Sequence, residues 1–359
     1  MTTNHTPAAA PRVPSAISAI SAISARALRK SYGDKLVLDG IDLDIAEGTV
    51  FALLGPNGAG KTTAVQILST LIGADAGEVR VAGHDLAREP EGVRAAIGVT
   101  GQFSAVDGLL TGAENLNLMA DLRHLGRTEG RRRTAELLER FDLSDAAGKL
   151  AATYSGGMRR RLDLAMTLVG NPRVIFLDEP TTGLDPRSRR TMWQIIRDLV
   201  ADDGVTIFLT TQYLEEADQL ADRIAVLDHG SLVAEGTAEE LKRLIPGGHA
   251  QLRFATTAAY ETAVRALSRT LDDIPRDDDA LTLQVPSDGR VRSLRALLYL
   301  LDAESIDAEE LSVHTPDLDD VFLALTGQSK PGQSKPGQSK PSRDTETAVD
   351  PLTEKAATR

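Results

Sequence analysis

The sequence predicts an α/β protein whose central strands are covered on both faces, and three observations predict it. Short apolar runs, VFALL (Val50 to Leu54), VIFL (Val174 to Leu177) and VTIFL (Val205 to Leu209), carry little alternation, as expected of strands buried on both sides. Helical patterns separate these runs, the order of an α/β chain. A glycine-rich stretch, GPNGAGKT, follows the first run directly and leads into a helix with Val65, Leu68 and Leu71 on one face.

The chain has 359 residues, a soft expectation of two domains, and its 42% hydrophobic content suffices for a substantial core. A formal net charge of -12 argues against a protein whose main task is gripping nucleic acid, which needs a basic surface, so no nucleic-acid partner is expected. The absence of cysteine excludes disulfides and thiolate metal sites, and the six scattered histidines point to no structural zinc. No stretch reaches the roughly 18 consecutive apolar residues of a membrane-spanning helix, so any membrane work falls to another chain. Low-complexity ends, the SAI triplet from Ser15 to Ile23 and GQSKP repeated three times from Gly327 to Pro341, cannot build a core. Residues 1–23 and 327–359 are therefore expected to be disordered.

Near Pro246 the PGGH stretch marks a boundary between a main domain, 24–245, and a small accessory α/β domain, 246–326. Within the latter, strands are expected around Gln251 to Ala255 and Leu281 to Val285, and helices around Ala258 to Leu271 and Arg290 to Leu301. Val291, Leu294, Leu298 and Leu301 recur at helical spacing as a packed face.

GPNGAGKT matches the G-x-x-x-x-G-K-[ST] phosphate loop in its strand-to-helix context. Its glycines let backbone N–H groups turn around an anion at a helix N-terminus. Gly55, Pro56, Asn57, Gly58, Ala59, Gly60, Lys61, Thr62 and Thr63 are the candidate phosphate-binding residues. Lys61 is expected to reach the β and γ phosphates and the Thr62 hydroxyl to ligate Mg2+. Asp178 and Glu179 stand at the C-terminal end of the VIFL strand, where ligands of open α/β sheets gather. Asp178 is the expected metal residue and Glu179 the expected general base.

Between these sites lies TYSGGMRRRLDLAMTLVG, Thr153 to Gly170, a Ser-Gly-Gly turn opening a helix whose Leu162, Ala165, Leu168 and Val169 form an apolar face. Here the sequence resembles the ATP-binding cassette (ABC) ATPases, whose LSGGQ signature appears as YSGGM, Tyr154 to Met158. The resemblance covers about Ala25 to Leu244 and extends to Gln102 in VTGQF, Asp185 in GLDP and Tyr32 in SYGDK. It implies a cassette with a mostly parallel core sheet, an antiparallel β subdomain and a helical signature subdomain. It also implies ATP and Mg2+ as cofactors, Gln102 as the Q-loop residue on the metal side, Asp185 in the D-loop and Tyr32 under adenine. Two copies would close head to tail, with Ser155, Gly156 and Gly157 of each capping the γ-phosphate held by the other. Arg159 to Arg161, a charged run on a helix, are read as a solvated face.

Gln212, at the turn in FLTTQYLEEAD, stands where most ABC ATPases carry a histidine. A primary amide donates N–H to a phosphate oxygen but carries no charge, so Gln212 is expected to position the γ-phosphate. Together with DLDDVFLALTG, Asp317 to Gly327, this departure resembles the daunorubicin-resistance type of ABC exporter ATPase. That implies export of a hydrophobic drug or antibiotic through a separate multi-spanning membrane subunit, at the cytoplasmic face of the membrane. The accessory domain is implicated in assembly by the same resemblance, and Phe103 to Leu110 as the contact for the membrane subunit. The alternative is a soluble ABC ATPase acting on ribosomes or nucleic acid. Such proteins usually carry two cassettes or a long coiled-coil insertion, and this chain shows neither. A regulatory module without turnover would have lost its base, whereas Glu179 is present, and no N-K-x-D motif points to guanine.

Overall fold

The computed structural model describes residues 21–326, apart from 103, 246, 247, 270, 272, 273, 288, 289 and 315. Most of the expected N-terminal disordered segment and the whole GQSKP tail lie outside the described residues, as do Pro246 and Gly247 of the PGGH boundary.

The chain opens with β1 (Ser21–Tyr32), β2 (Lys35–Ala46), β3 (Val50–Leu54), α1 (Lys61–Leu68), β4 (Ala76–Val81), β5 (His84–Asp85), α2 (Pro90–Ala96) and β6 (Ile97–Thr100). An all-helical insertion follows, α3 (Gly112–Leu122), α4 (Arg127–Arg140) and α5 (Gly156–Thr167). The chain then returns through β7 (Val174–Asp178), α6 (Pro186–Asp203), β8 (Thr206–Thr211), α7 (Leu214–Leu220), β9 (Arg223–Asp228), β10 (Ser231–Gly236) and α8 (Ala238–Lys242). Its last described part holds β11 (His249–Arg253), α9 (Thr257–Leu267), β12 (Arg276–Asp277), β13 (Thr282–Pro286), α10 (Val291–Ala303), β14 (Glu310–His314) and α11 (Leu318–Thr326).

The central sheet runs β10-β9-β3-β8-β7-β6. All its pairings are parallel except the β9-β10 hairpin. Every residue of β3, β7 and β8 is buried, and alternate residues feed two different cores. Val50, Ala52, Leu54, Ile175, Leu177, Ile207 and Leu209 face the helical side with Leu162, Trp193 and Ile196. Phe51, Leu53, Phe176 and Phe208 face α1 and the antiparallel sheet β2-β1-β4-β5. Double coverage is the physical reason these strands show no alternation. On the second face Phe208 lies 5.6 Å from both Phe51 and Phe176, ring centroid to ring centroid.

Three expectations need correction here. β1 starts at Ser21, inside the segment 1–23 expected to be disordered. Ile23 pairs with Val81 and Ile45 and is fully buried, so the last SAI triplet is strand. Leu71 does not share the α1 face, because that helix ends at Leu68 and Thr70 turns into the left-handed region, leaving Leu71 67% exposed. In α10 the packed positions are Leu294, Leu297 and Leu301, whereas Val291 and Leu298 face outward.

The late segment forms a four-stranded antiparallel sheet, β12-β13-β11-β14, whose Ala250, Leu252, Leu283 and Val285 pack with Tyr260 and Ala263 of α9 and Leu297 and Leu301 of α10. The expected strands and helices are present, displaced by a few residues at their ends. One element of the 246–326 stretch departs from this core. α11 lies against α7 and α8, and its Leu318 and Val321 join the core of the nucleotide-binding part. The chain thus closes its C-terminal helix back onto the first domain.

Leu318 is 3% exposed within that core. Leu318→Ala is expected to lower stability by about 2 to 5 kcal/mol, measured by urea unfolding. A loss below about 0.5 kcal/mol, the range of ordinary surface substitutions, would show that α11 is not docked there.

Candidate active site

The phosphate loop is held by close approaches that side chains would prevent. A Cβ on Gly55 would lie 2.3 Å from the Leu227 carbonyl oxygen, and one on Gly60 would lie 2.9 Å from the Val37 carbonyl. Gly58 and Gly60 take positive φ, 82° and 113°, a backbone path that turns successive N–H groups to one side. Pro56 is half-buried, Asn57 and Gly58 are exposed, and Ala59 is buried. Gly60 caps α1, so Lys61, Thr62 and Thr63 form its first turn. Lys61 is buried, and its Nζ donates to the carbonyls of Gly55 at 2.8 Å and Pro56 at 3.1 Å. Burial holds its ammonium below the usual lysine range, opposed by Glu179 and Asp178. Nζ stands 3.8 Å from Glu179 Oε1.

Asp178 ends β7 and is 3% exposed. Its Oδ1 accepts from Thr62 Oγ1 at 3.4 Å and from Thr210 Oγ1 on the neighbouring strand. The same Thr210 hydroxyl accepts the Glu179 N–H at 3.2 Å, and the Thr210 carbonyl accepts it at 3.1 Å. Glu179 sits at φ 51°, a conformation uncommon for a residue with a side chain. Its Oε2 accepts from Thr182 Oγ1 at 3.3 Å. The structure therefore brings Lys61, Thr62, Asp178 and Glu179 together as the sequence predicts.

Ser155 caps α5, accepting the Met158 N–H at 3.2 Å, and Ser155 and Gly156 are exposed. Gly157 approaches α6 so closely that a Cβ would lie 2.6 Å from Ser188 Oγ. Asp185 caps α6 through the N–H groups of Arg187 and Ser188, both at 3.0 Å, and the Ser188 hydroxyl at 2.6 Å. These bonds, led by the hydroxyl, hold its carboxyl below the usual range. Gln102 is exposed just beyond β6. Tyr32, 50% exposed, ends β1, with Lys30 Nζ 5.7 Å from its ring centroid. Gln212 is half-buried, between the end of β8 and α7.

The reading of Arg159 to Arg161 as a solvated face is overturned. Arg160 has an 11% exposed side chain and reaches the carbonyls of Pro180, Gly101 and Asp178 at 2.9, 3.0 and 3.2 Å. Arg161 closes the chain after α4 through the Phe141 and Asp142 carbonyls, at 2.7 and 3.1 Å. Several carbonyls met at once by forked donors offset the solvation an arginine loses on burial.

Comparison with known proteins follows the same pattern. The ABC transporter family model matches residues 38–182. The daunorubicin resistance ATP-binding protein DrrA2 of Streptomyces coeruleorubidus is 51% identical over 302 residues, 84% of this chain and 94% of that protein. The doxorubicin resistance ATP-binding protein DrrA of Mycobacterium tuberculosis is 47% identical over 309 residues, 83% of this chain and 92% of its own. The chain belongs to the ABC transporter ATP-binding family. A dimeric ABC cassette solved in a post-hydrolysis state with ADP and Pi superposes with a TM-score of 0.55 at 28% identity, covering 60% of this chain and 98% of that one. This chain is accordingly an ATP-hydrolysing ABC cassette, of a family whose cassettes work as dimers with a transmembrane partner.

Four further residues of this ABC cassette escaped the sequence reading. Thr210 was legible as a hydroxyl in a fully buried strand. Arg160 and Asp163 were legible as an i, i+3 pair of opposite charges with Asp163 between Leu162 and Leu164. Glu216, hidden in an acidic run, is fully buried. Its Oε1 accepts from Thr181 Oγ1 at 2.8 Å and Trp193 Nε1 at 3.1 Å, while Oε2 has no partner among the described residues. It thereby joins the segment after β7 to α6 and α7.

Burial raises the Glu216 carboxyl above its ordinary value of 4.5. The folded state then holds the proton more tightly than the unfolded one. The stability this contributes is present below 4.5 and is lost as pH rises through the raised folded value. In unfolding titrations, wild type is expected to lose stability relative to Glu216→Gln as pH is raised above 4.5. Parallel curves for the two proteins would contradict this.

Proposed function

We propose that the chain powers export of a hydrophobic drug or antibiotic through a separate, multi-spanning membrane subunit, at the cytoplasmic face of the membrane. The observation that carries the hydrolytic part is Glu179 beside the Lys61 ammonium at 3.8 Å, at the mouth of a phosphate loop. The cargo class rests on the names of the relatives, one a daunorubicin resistance and the other a doxorubicin resistance ATP-binding protein. No helix among the described residues is long and apolar enough to cross a membrane.

In this mechanism backbone N–H groups of the stretch from Asn57 to Thr63 bind the phosphates, and Lys61 exchanges its carbonyl partners for the β and γ phosphate oxygens, which bind an ammonium more strongly. Tyr32 stacks under adenine. Glu179 accepts the proton of the attacking water, and Gln212 donates N–H to the γ-phosphate. The oxygens of Thr62, Thr210 and Asp178 that meet at the strand end are a donor set suited to a hard cation. Mg2+ would be held by Thr62, by Asp178 through water and by Gln102, neutralising charge on the phosphates. A second copy supplies Ser155, Gly156 and Gly157 over the γ-phosphate, with Asp185 shaping the loop between the two sites. ATP held between two surfaces favours the closed pair by differential affinity, and hydrolysis removes that preference.

The membrane subunit would dock on the segment after Gln102. Phe103 lies outside the described residues, but Leu109 is 84% and Leu122 63% exposed. Leu122 is next in sequence to Arg123, which lines a groove of about 490 Å³ with Val99, Ala105, Met119 and the 67% exposed Leu71. Exposed apolar side chains beside such a groove suit a protein contact.

Two results test this function. Glu179→Gln is expected to cut Mg-ATP turnover by on the order of 100-fold or more, while Gln212→His keeps it. Equal rates in wild type and Glu179→Gln would remove the assignment of the base. Tagged Glu179→Gln protein purified from gently solubilised membranes with ATP should bring down a multi-spanning protein at equal stoichiometry. Recovery only with ribosomes or nucleic acid would transfer the chain to the soluble class.

A further inference from the structure

The Arg160 guanidinium is the meeting point of three segments. Nε donates to the Pro180 carbonyl at 2.9 Å, Nη1 to Gly101 at 3.0 Å, and Nη2 to Asp178 at 3.2 Å and Glu179 at 3.5 Å. Nη1 also meets Asp163 Oδ2 at 3.3 Å, and the other oxygen of Asp163 accepts the Ala105 N–H at 3.1 Å. Both side chains belong to α5, the helix that the signature turn opens. Gln102 thus lies between two anchored positions, Gly101 and Ala105, and Glu179 between Asp178 and Pro180.

The pair is expensive to bury and therefore informative. Arg160 is 11% and Asp163 3% exposed in the side chain. Desolvation pushes the Arg160 value down and the Asp163 value up, and their mutual attraction opposes both shifts. A buried ion pair is often no more stabilising than well-packed apolar residues, so stability alone gives a poor account of it. Five donors in a rigid plane fit several carbonyls simultaneously, a geometry that a lysine cannot reproduce.

We propose that Arg160 is a positioning residue that, with Asp163, links the signature helix to the Q-loop and to the backbone that carries Glu179. A shift of α5 relative to the central sheet then moves both flanks of Gln102 and the aim of Glu179 together. A displacement set at the helical side, where the membrane subunit and the second copy would act, reaches the hydrolytic carboxylate through one side chain. This rests on Glu179 being the base, as proposed above.

The test uses the purified full chain and compares Mg-ATP kcat, KM and thermal stability in wild type, Arg160→Lys, Arg160→Met and the double variant Arg160→Met with Asp163→Leu. Arg160→Lys and Arg160→Met are expected to lose about tenfold or more in kcat with KM within about threefold, as for misplacement of a catalytic group without loss of substrate binding. The double variant, freed of its unpaired buried charge, should regain the stability lost in Arg160→Met but not its kcat. A double variant, or an Arg160→Lys protein, with kcat within about twofold of wild type would overturn the proposal by showing that the pair only stabilises the fold. A Glu179→Gln control distinguishes the two assignments. Turnover retained there removes the base, whereas turnover retained in Arg160→Lys removes the positioning role.

Discussion

A partly desolvated ammonium faces a carboxylate across a phosphate loop, and most of the local structure is arranged around that constraint. Lys61 is buried with Glu179 at 3.8 Å and only backbone carbonyls as close hydrogen-bond partners. Burial lowers its proton affinity, and Glu179 and Asp178 oppose that shift without cancelling it. Such a site binds a polyanion strongly because charge is already held in a region of reduced dielectric and little has to reorganise when the phosphates arrive. The same carboxylates must then be kept from collapsing onto the lysine. Thr210 contributes to this by tying Asp178 and the Glu179 backbone to the neighbouring strand.

The parallel sheet makes the convergence possible. With β3, β7 and β8 buried on both faces, the C-terminal ends of adjacent strands open into one crevice. The phosphate loop leaves β3, the acidic pair leaves β7, and Gln212 follows β8. Around that rigid end, the helical insertion is attached by polar contacts as well as by apolar packing. Arg123 reaches the Ile97 carbonyl at 3.1 Å, and Arg160 reaches Gly101 and Pro180. Polar ties of this kind hold a defined geometry yet permit the two parts to be shifted as units.

Much of this was legible in the sequence because it depends on local chemistry. Continuous apolar runs gave the buried strands, the glycine spacing gave the phosphate loop, and the Ser-Gly-Gly turn marked the start of α5. Side chains whose partners are distant in sequence were harder to read. Arg160 looked like one member of a solvated run, because its carbonyl partners lie 18 to 59 residues away. Glu216 stands in an acidic run, and nothing local in the sequence says that it bonds Thr181 and Trp193 in the interior. Leu318 and Val321 looked like part of the accessory domain, since nothing local says that a helix returns to an earlier core. The third SAI triplet was hidden by its own repeat, whose Ile23 is strand only because β2 and β4 flank it.

The most direct measurement is Mg-ATP binding and turnover by the purified Lys61→Met protein, with its unfolding curve recorded alongside. Removal of the central ammonium leaves an apolar chain of similar length in the buried channel and takes the nearby cation from Glu179 and Asp178, so the unfolding curve separates any loss of stability from loss of binding. Affinity and turnover should fall by on the order of 100-fold or more, and an ATP concentration that just saturates wild type should raise the unfolding midpoint far less. A Lys61→Met protein that binds and hydrolyses ATP like wild type would contradict the account at its centre.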